Sequence, residues 1–292
     1  MSTLDPDSAD LTLLQDRQVA VLGFDALAAA HALNLRDSGV DVWIGVTPDS
    51  RSAARAEIEG LAVDTPEQAV ARCDIVLITG AGDSHGELAV ESVQGLLDQY
   101  TEPGDLVIVT SAAIVRVGGL AVPEGVDLAL LDAIGDGDRV REEYLDGRGC
   151  PALVAVERDG SGAAWATLTA YAGAMGALRS GAIVTTLEHQ ARALALAEQR
   201  VHEPLQRMVQ DAFDSLVAEG VEEEVAYLAV LHDLKARTDA IYAAGFATQH
   251  GPDGEPGDDP ADGATSRREA AAAAHPIERV GRRVRAMMSW IR

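Results

Sequence analysis

QVAVLG at residues 18–23, DALAAAHALNLRDS at 25–38 and VDVWIGV at 40–46 decide the fold of this chain. The first is a short apolar run with charge before it and glycine after it, which reads as a buried strand. The second has the length of a helix and stops at Gly39. The third is a second apolar strand. Working outward, SRSAARAEIEG (50–60) is another helix with a glycine stop, and LAVDT, PEQAVARC and DIVLITG repeat the rhythm. HGELAVESVQGLLDQY, GDLVIVTS, VDLALLDA and PALVAVE continue it. Strands and helices that alternate at these lengths predict a parallel sheet with helices on both faces. This α/β domain is expected over residues 1–180.

Residues 181–292 change character. From Thr185 to about Gly245 no strand pattern is convincing, and two long helical patterns run over 187–219 and 221–244, divided at Gly220. Leu194, Val201, Leu205 and Met208 recur with helical period. QHGPDGEPGDDPADGATS then supplies a Gly-, Pro- and Asp-rich linker over 249–266, and a final amphipathic helix is expected over about 267–291. The formal net charge is −24 and the pI about 4.5, a surface that repels phosphate backbones, so nucleic-acid binding is not expected. Lys235 is the only lysine among 23 lysines and arginines, which fits a GC-rich genome or a halophilic cytoplasm. No stretch reads as a membrane span or a secretory signal, and Cys73 and Cys150 read as buried thiols, so a cytoplasmic location is expected.

Four stretches, AHALNLRDSGVDVWIG (30–45), VREEYLDGRGCPALVAV (140–156), VAYLAVLHDLK (225–235) and HPIERVGRRVRAMMSWI (275–291), resemble the ketol-acid reductoisomerase family. They come in the family's order and span most of the chain. The resemblance implies a Rossmann-type N-terminal domain. It also implies an all-α C-terminal domain like that of 6-phosphogluconate dehydrogenases, which in the family is knotted, forms dimers and holds two magnesium ions. A homodimer through the helical half and a small-molecule ligand are therefore expected. The family reaction moves an alkyl group in a 2-hydroxy-3-keto acid and reduces the product with NADPH.

Against that pattern several positions differ. The family's Gly-x-Gly-x-x-Gly turn reads here Gly23-Phe24-Asp25-Ala26-Leu27-Ala28. Gly23 keeps the tight turn, but Asp25 sets a charge where the backbone should approach a pyrophosphate. It also stands where a helix N-cap would stand. Ser50, Arg51 and Ser52 follow the second strand, where a 2′-phosphate could lie or where a helix is simply capped. Ser111 aligns with the family's catalytic histidine and Ile134 with its lysine. Of the family's four metal-binding carboxylates, Glu198 and Asp233 remain, while the other two positions are Leu194 and Ala229. Leucine and alanine offer magnesium no oxygen, so no metal site is assigned.

The family's cofactors are NADP and magnesium; from these residues neither is expected to bind. Glu198, Asp233 and Ser111 remain as candidate catalytic positions. His202 and Glu198, four apart, could share a single transition metal, although hydrogen-bonded relics are the commoner outcome. His232 lies beside Asp233, His189 lies near the substrate region without an assigned role, and His31 reads as structural. The leading functional reading is a pseudoenzyme that keeps the scaffold and serves as a partner, regulator or sensor. The second is an enzyme turned to a small keto or amino acid without NADPH and paired magnesium, and the third is a persisting NADPH-dependent reductase.

Overall fold

The computed structural model describes residues 2–80 and 90–244. In chain order its strands are β1 (Thr3–Leu4), β2 (Gln18–Leu22), β3 (Asp41–Gly45), β4 (Ala62–Asp64), β5 (Ile75–Ile78), β6 (Leu106–Val109), β7 (Asp127–Ala133), β8 (Ala152–Arg158) and β9 (Ala182–Val184). The helices between them are α1 (Ala26–Asp37), α2 (Arg51–Ile58), α3 (Pro66–Arg72), α4 (Val90–Tyr100), α5 (Ala112–Arg116), α6 (Gly137–Leu145), α7 (Ala164–Ala174) and α8 (Ala177–Ser180). The sheet order is β1-β9-β8-β7-β6-β5-β2-β3-β4. From β2 the sheet grows one way to β3 and β4, and the other way to β5, β6 and β7, all parallel. The winding therefore reverses between β2 and β5.

The expectation of a wholly parallel sheet is corrected at two places. β8 pairs antiparallel with β7, and β1 pairs antiparallel with β9. The cause at β8 is where α6 lies. It packs along α1 instead of crossing back over a sheet face, so the chain returns from the end at which β7 finished. A Cβ on Gly137, the first residue of α6, would fall inside the Ala26 carbonyl, so only glycine allows this approach.

Side chains alternate between the two faces of the sheet, and each face carries its own core. Val19, Val21, Ile108 and Leu131 belong to one, with Leu35 and Tyr171 packed on them. Ala20, Val76, Val107 and Leu130 belong to the other, under Leu97 and Leu187. His31 is fully buried in the first, with Nδ1 3.1 Å from the Tyr171 hydroxyl. Burial pulls its pKa down to about 3, so the imidazole is neutral and structural, as the helix pattern implied. Both cysteines are buried and free.

The second half is helical: α9 (Leu187–Ala197), α10 (Glu203–Ala218), α11 (Glu223–Tyr227) and α12 (Asp233–Ala244). α9 runs into α10 through a π-helical turn at Glu198–His202, and α11 into α12 through a second at Leu228–His232. The two long sequence patterns thus fold as two helical runs separated at Gly220, whose φ of 90° ends the first. The chain divides into two compact units after Leu194, beyond the boundary at residue 180. β9 and the start of α9 stay with the sheet because β9 pairs with β8 and Leu187 is buried in the second core. The linker at 249–266, the final helix and the knot lie outside the described residues. No helix among the described residues is long and apolar enough to cross a membrane.

Candidate dinucleotide and substrate site

The turn after β2 closes as the glycine predicts. Gly23 has φ 84°, its N–H donates to the Gly45 carbonyl at 3.1 Å, and the space where a Cβ would stand is open. Asp25 caps α1: Oδ1 accepts from the Ala28 N–H at 2.7 Å, and Oδ2 accepts from Thr79 Oγ1 at 3.2 Å. One of the orphan N–H groups that would face a pyrophosphate is therefore already taken. Ala28 is fully buried against the sheet. On the ribose side, Ser50 caps α2 by accepting from the Ala53 N–H at 3.1 Å, and Ser52 is buried. Arg51 opens α2 on the exposed surface. Arg55, which the sequence reading passed over, lies with its guanidinium 5.6 Å from the centre of the Phe24 ring. Its spacing of four from Arg51 on a helix was the available signal.

The carboxyl ends of the next strands carry a strip of polar groups. Thr110 Oγ1 donates to the Thr79 carbonyl at 2.9 Å. Ser111 caps α5, its Oγ accepting from the Ala113 N–H at 3.3 Å. The Ala112 N–H donates to Gln190 Oε1 at 2.7 Å, and Gln190 Nε2 donates to Asp132 Oδ2 at 2.6 Å. A backbone N–H can only donate, so Gln190 must turn its oxygen to Ala112 and its amide to the carboxylate. Gln190 is almost wholly buried. Burial raises the pKa of Asp132, and the Gln190 hydrogen bond only partly offsets this. Asp132 and Gln190 were not singled out in the sequence: one sat inside an apolar strand and the other beside the more conspicuous His189. An acid at the last turn of a buried strand was the signal. Ile134 is half exposed and His189 lies on the surface, its backbone N–H donating to Thr186 Oγ1.

In the helical unit, Glu198 and His202 do meet, at 2.9 Å between Oε2 and Nδ1, both exposed. Asp233 is held by Arg237 at 2.6 Å. Each remnant acid is thus engaged one turn along its own helix. Leu194 is exposed and Ala229 adds no donor, and no group of three or more His, Cys, Asp or Glu residues is placed to hold a metal among the described residues. His232 is exposed. The first π turn begins at Glu198 and the second ends one residue before Asp233, and π turns recur at functional positions. Between α10 and α11–α12 lies an apolar cavity of about 420 Å³, with Leu205, Val209, Phe213, Tyr227, Leu231 and Leu234 on its walls.

A parallel sheet that reverses its winding at β2 and β5, with a glycine turn and a helix N-terminus over the reversal, defines a dinucleotide-binding α/β protein. Residues 13–181 match the family described as acetohydroxy acid isomeroreductase, NADPH-binding domain. The chain is 40% identical over 242 residues to the ketol-acid reductoisomerase (NADP(+)) of Clavibacter sepedonicus, covering 82% of this chain and 70% of that protein. It is 35% identical over 326 aligned residues to the enzyme of the same name from Kineococcus radiotolerans, covering 98% and 94%. Among solved structures, an NADH-preferring ketol-acid reductoisomerase from an uncultured archean superposes with a TM-score of 0.74 at 24% identity, over all of this chain and 85% of that one. The chain belongs to the ketol-acid reductoisomerase family.

That membership corrects the expectation of no cofactor, since the matched domain is the NADPH-binding one and the family implies NADPH and magnesium. Asp25 takes one N–H of α1, yet the turn at Gly23 is still formed. The crevice itself fits a dinucleotide: the turn at Gly23 is formed and open, α1 points its N-terminus into it, and Arg51 and Arg55 stand on the side of the second strand. The magnesium positions fit less well, with two carboxylates where the family has four.

Proposed function

We propose that this chain binds NADPH across the carboxyl ends of β2, β5 and β6 and works as an NADPH-dependent reductase on a small carbonyl compound. The observation that carries this reading is the formed turn at Gly23 over the sheet's winding reversal, within a segment matched to the family's NADPH-binding domain. Gly23 and the free N–H groups at the start of α1 seat the pyrophosphate, while Arg51, Arg55 and Ser50 face the 2′-phosphate. When bound, NADPH supplies a hydride to the carbonyl carbon. Ser111 accepts a hydrogen bond from Ala113 through Oγ, which leaves its own O–H to pass a proton to the carbonyl oxygen, replenished from solvent. No step is routed through a metal, because Leu194 and Ala229 bring no oxygen to the family's metal positions.

The reading as a partner or sensor protein rested on departures at three places, the dinucleotide turn, the catalytic loops and the metal positions, and it loses the first of them. The test is NADPH consumption with a panel of small 2-keto acids, 2-aceto-2-hydroxy acids and amino-ketones, with and without magnesium. Turnover with at least one carbonyl compound is expected, at least tenfold lower in Ser111→Ala. No consumption across the panel would overturn the proposal. We also propose that the chain is a homodimer through its helical unit, where large apolar residues such as Leu205, Met208 and Leu231 are exposed.

A further inference from the structure

Asp132 is a charge at the crevice that the reductase reading leaves unused. It lies at the end of β7, on the sheet face that packs beneath α9, and Ser111 stands two residues past the end of the neighbouring strand β6. Its carboxyl is fixed from one side only. Gln190 donates to Oδ2 at 2.6 Å and cannot turn away, because its own oxygen is committed to the Ala112 N–H at 2.7 Å. Among the described residues nothing donates to Oδ1, and no arginine, lysine or histidine pairs with this carboxylate. A half-dry carboxylate with a vacant oxygen and no cation is costly by itself and complementary to a cationic donor. Two residues on, Ile134 is half exposed at the same strand end and offers an apolar wall. The family's acidic substrates would meet repulsion here, from Asp132 and from a chain of net charge −24.

We propose that Asp132, oriented by Gln190, is a binding residue for the ammonium group of the substrate, so that the chain takes a small aliphatic amine-bearing compound in place of a hydroxy-keto acid. Gln190 is a positioning residue that points the carboxylate. The proposal rests on the reductase reading for the place of the subsite, and its ligand chemistry is tested apart from it. The raised pKa of Asp132 supports it, since a bound ammonium would draw the carboxyl back to its charged form.

The experiment titrates isobutylammonium and isobutyrate into the full chain, followed by ligand-observed NMR, with and without NADPH, in wild type and Asp132→Asn. The asparagine keeps an oxygen for Gln190, so the local hydrogen bonds stay. Isobutylammonium is expected to saturate the wild type, to bind at least tenfold more weakly to Asp132→Asn, and to weaken as pH falls through the Asp132 titration. Isobutyrate is expected not to saturate. Equal ammonium binding in the two proteins, equal binding of isobutyrate, or no saturation by isobutylammonium would overturn the proposal. If Asp132→Asn fails to fold, the pH dependence in the wild type decides: weakening toward acid supports it and a flat profile sinks it. Ammonium binding without any NADPH binding would sink the reductase reading and leave this one standing.

Discussion

Asp25 shows how one residue can satisfy a helix and still tax a ligand. Its carboxylate caps α1 through Ala28 and is held by Thr79, yet it stands beside the seat of a doubly charged pyrophosphate. Two like charges about 4 Å apart repel by up to about 4 kcal/mol near a protein surface before salt screening. Asp25→Gly removes that charge, and glycine at an N-cap costs only a few tenths of a kcal/mol. We expect the variant to bind NADPH about tenfold more tightly, a gain of about 1.4 kcal/mol, read by fluorescence quenching. Asp132 gives a second prediction at this scale. Its pKa is raised in the folded chain by burial, so the fold carries a penalty that is absent below the unfolded carboxyl pKa. The penalty sets in as pH rises above the unfolded pKa and is full once pH passes the folded value. Asp132→Asn should therefore melt higher than wild type at pH 7 and equally at about pH 3. A variant that is less stable than wild type at pH 7 would contradict this.

The elements were the most legible part of the sequence, because period and punctuation agree there. α1 begins after Asp25 and stops before Gly39, and β3 follows within one residue of the apolar run that announced it. The antiparallel return at β8 was hidden, since VDLALLDA and PALVAVE are equally apolar and nothing in a strand's composition records its direction. What could have shown it is Gly137, whose role depends on α6 packing against the backbone of α1. Gly137→Ala should cost about 1–3 kcal/mol by overpacking and weaken NADPH binding as well, because the residue it strikes opens α1. Chemical denaturation and a cofactor titration on the same sample check both. The site was half legible. Glycine and cap residues announce the turn, whereas the Gln190 link joins residues 58 positions apart that no local pattern connects. Gln190→Leu should cost about 1–3 kcal/mol by leaving the Ala112 N–H unpaired, with little change in NADPH affinity.

At the scale of the whole molecule, two units carry separable tasks. The sheet unit carries the dinucleotide crevice, and the helical unit carries an apolar cavity and exposed leucines that one chain does not cover among the described residues. Phe213→Asp, placed in that cavity wall, should shift light scattering from dimer to monomer if the proposed homodimer uses this face; an unchanged mass would reject it. The central claim is that the turn at Gly23 still holds NADPH despite Asp25. Calorimetric titration of NADPH into the full chain, in wild type and Asp25→Gly, tests it most directly. Saturable binding to the wild type, tightened in the variant, is the predicted result. Titrations that stay flat into the millimolar range for both proteins would contradict it.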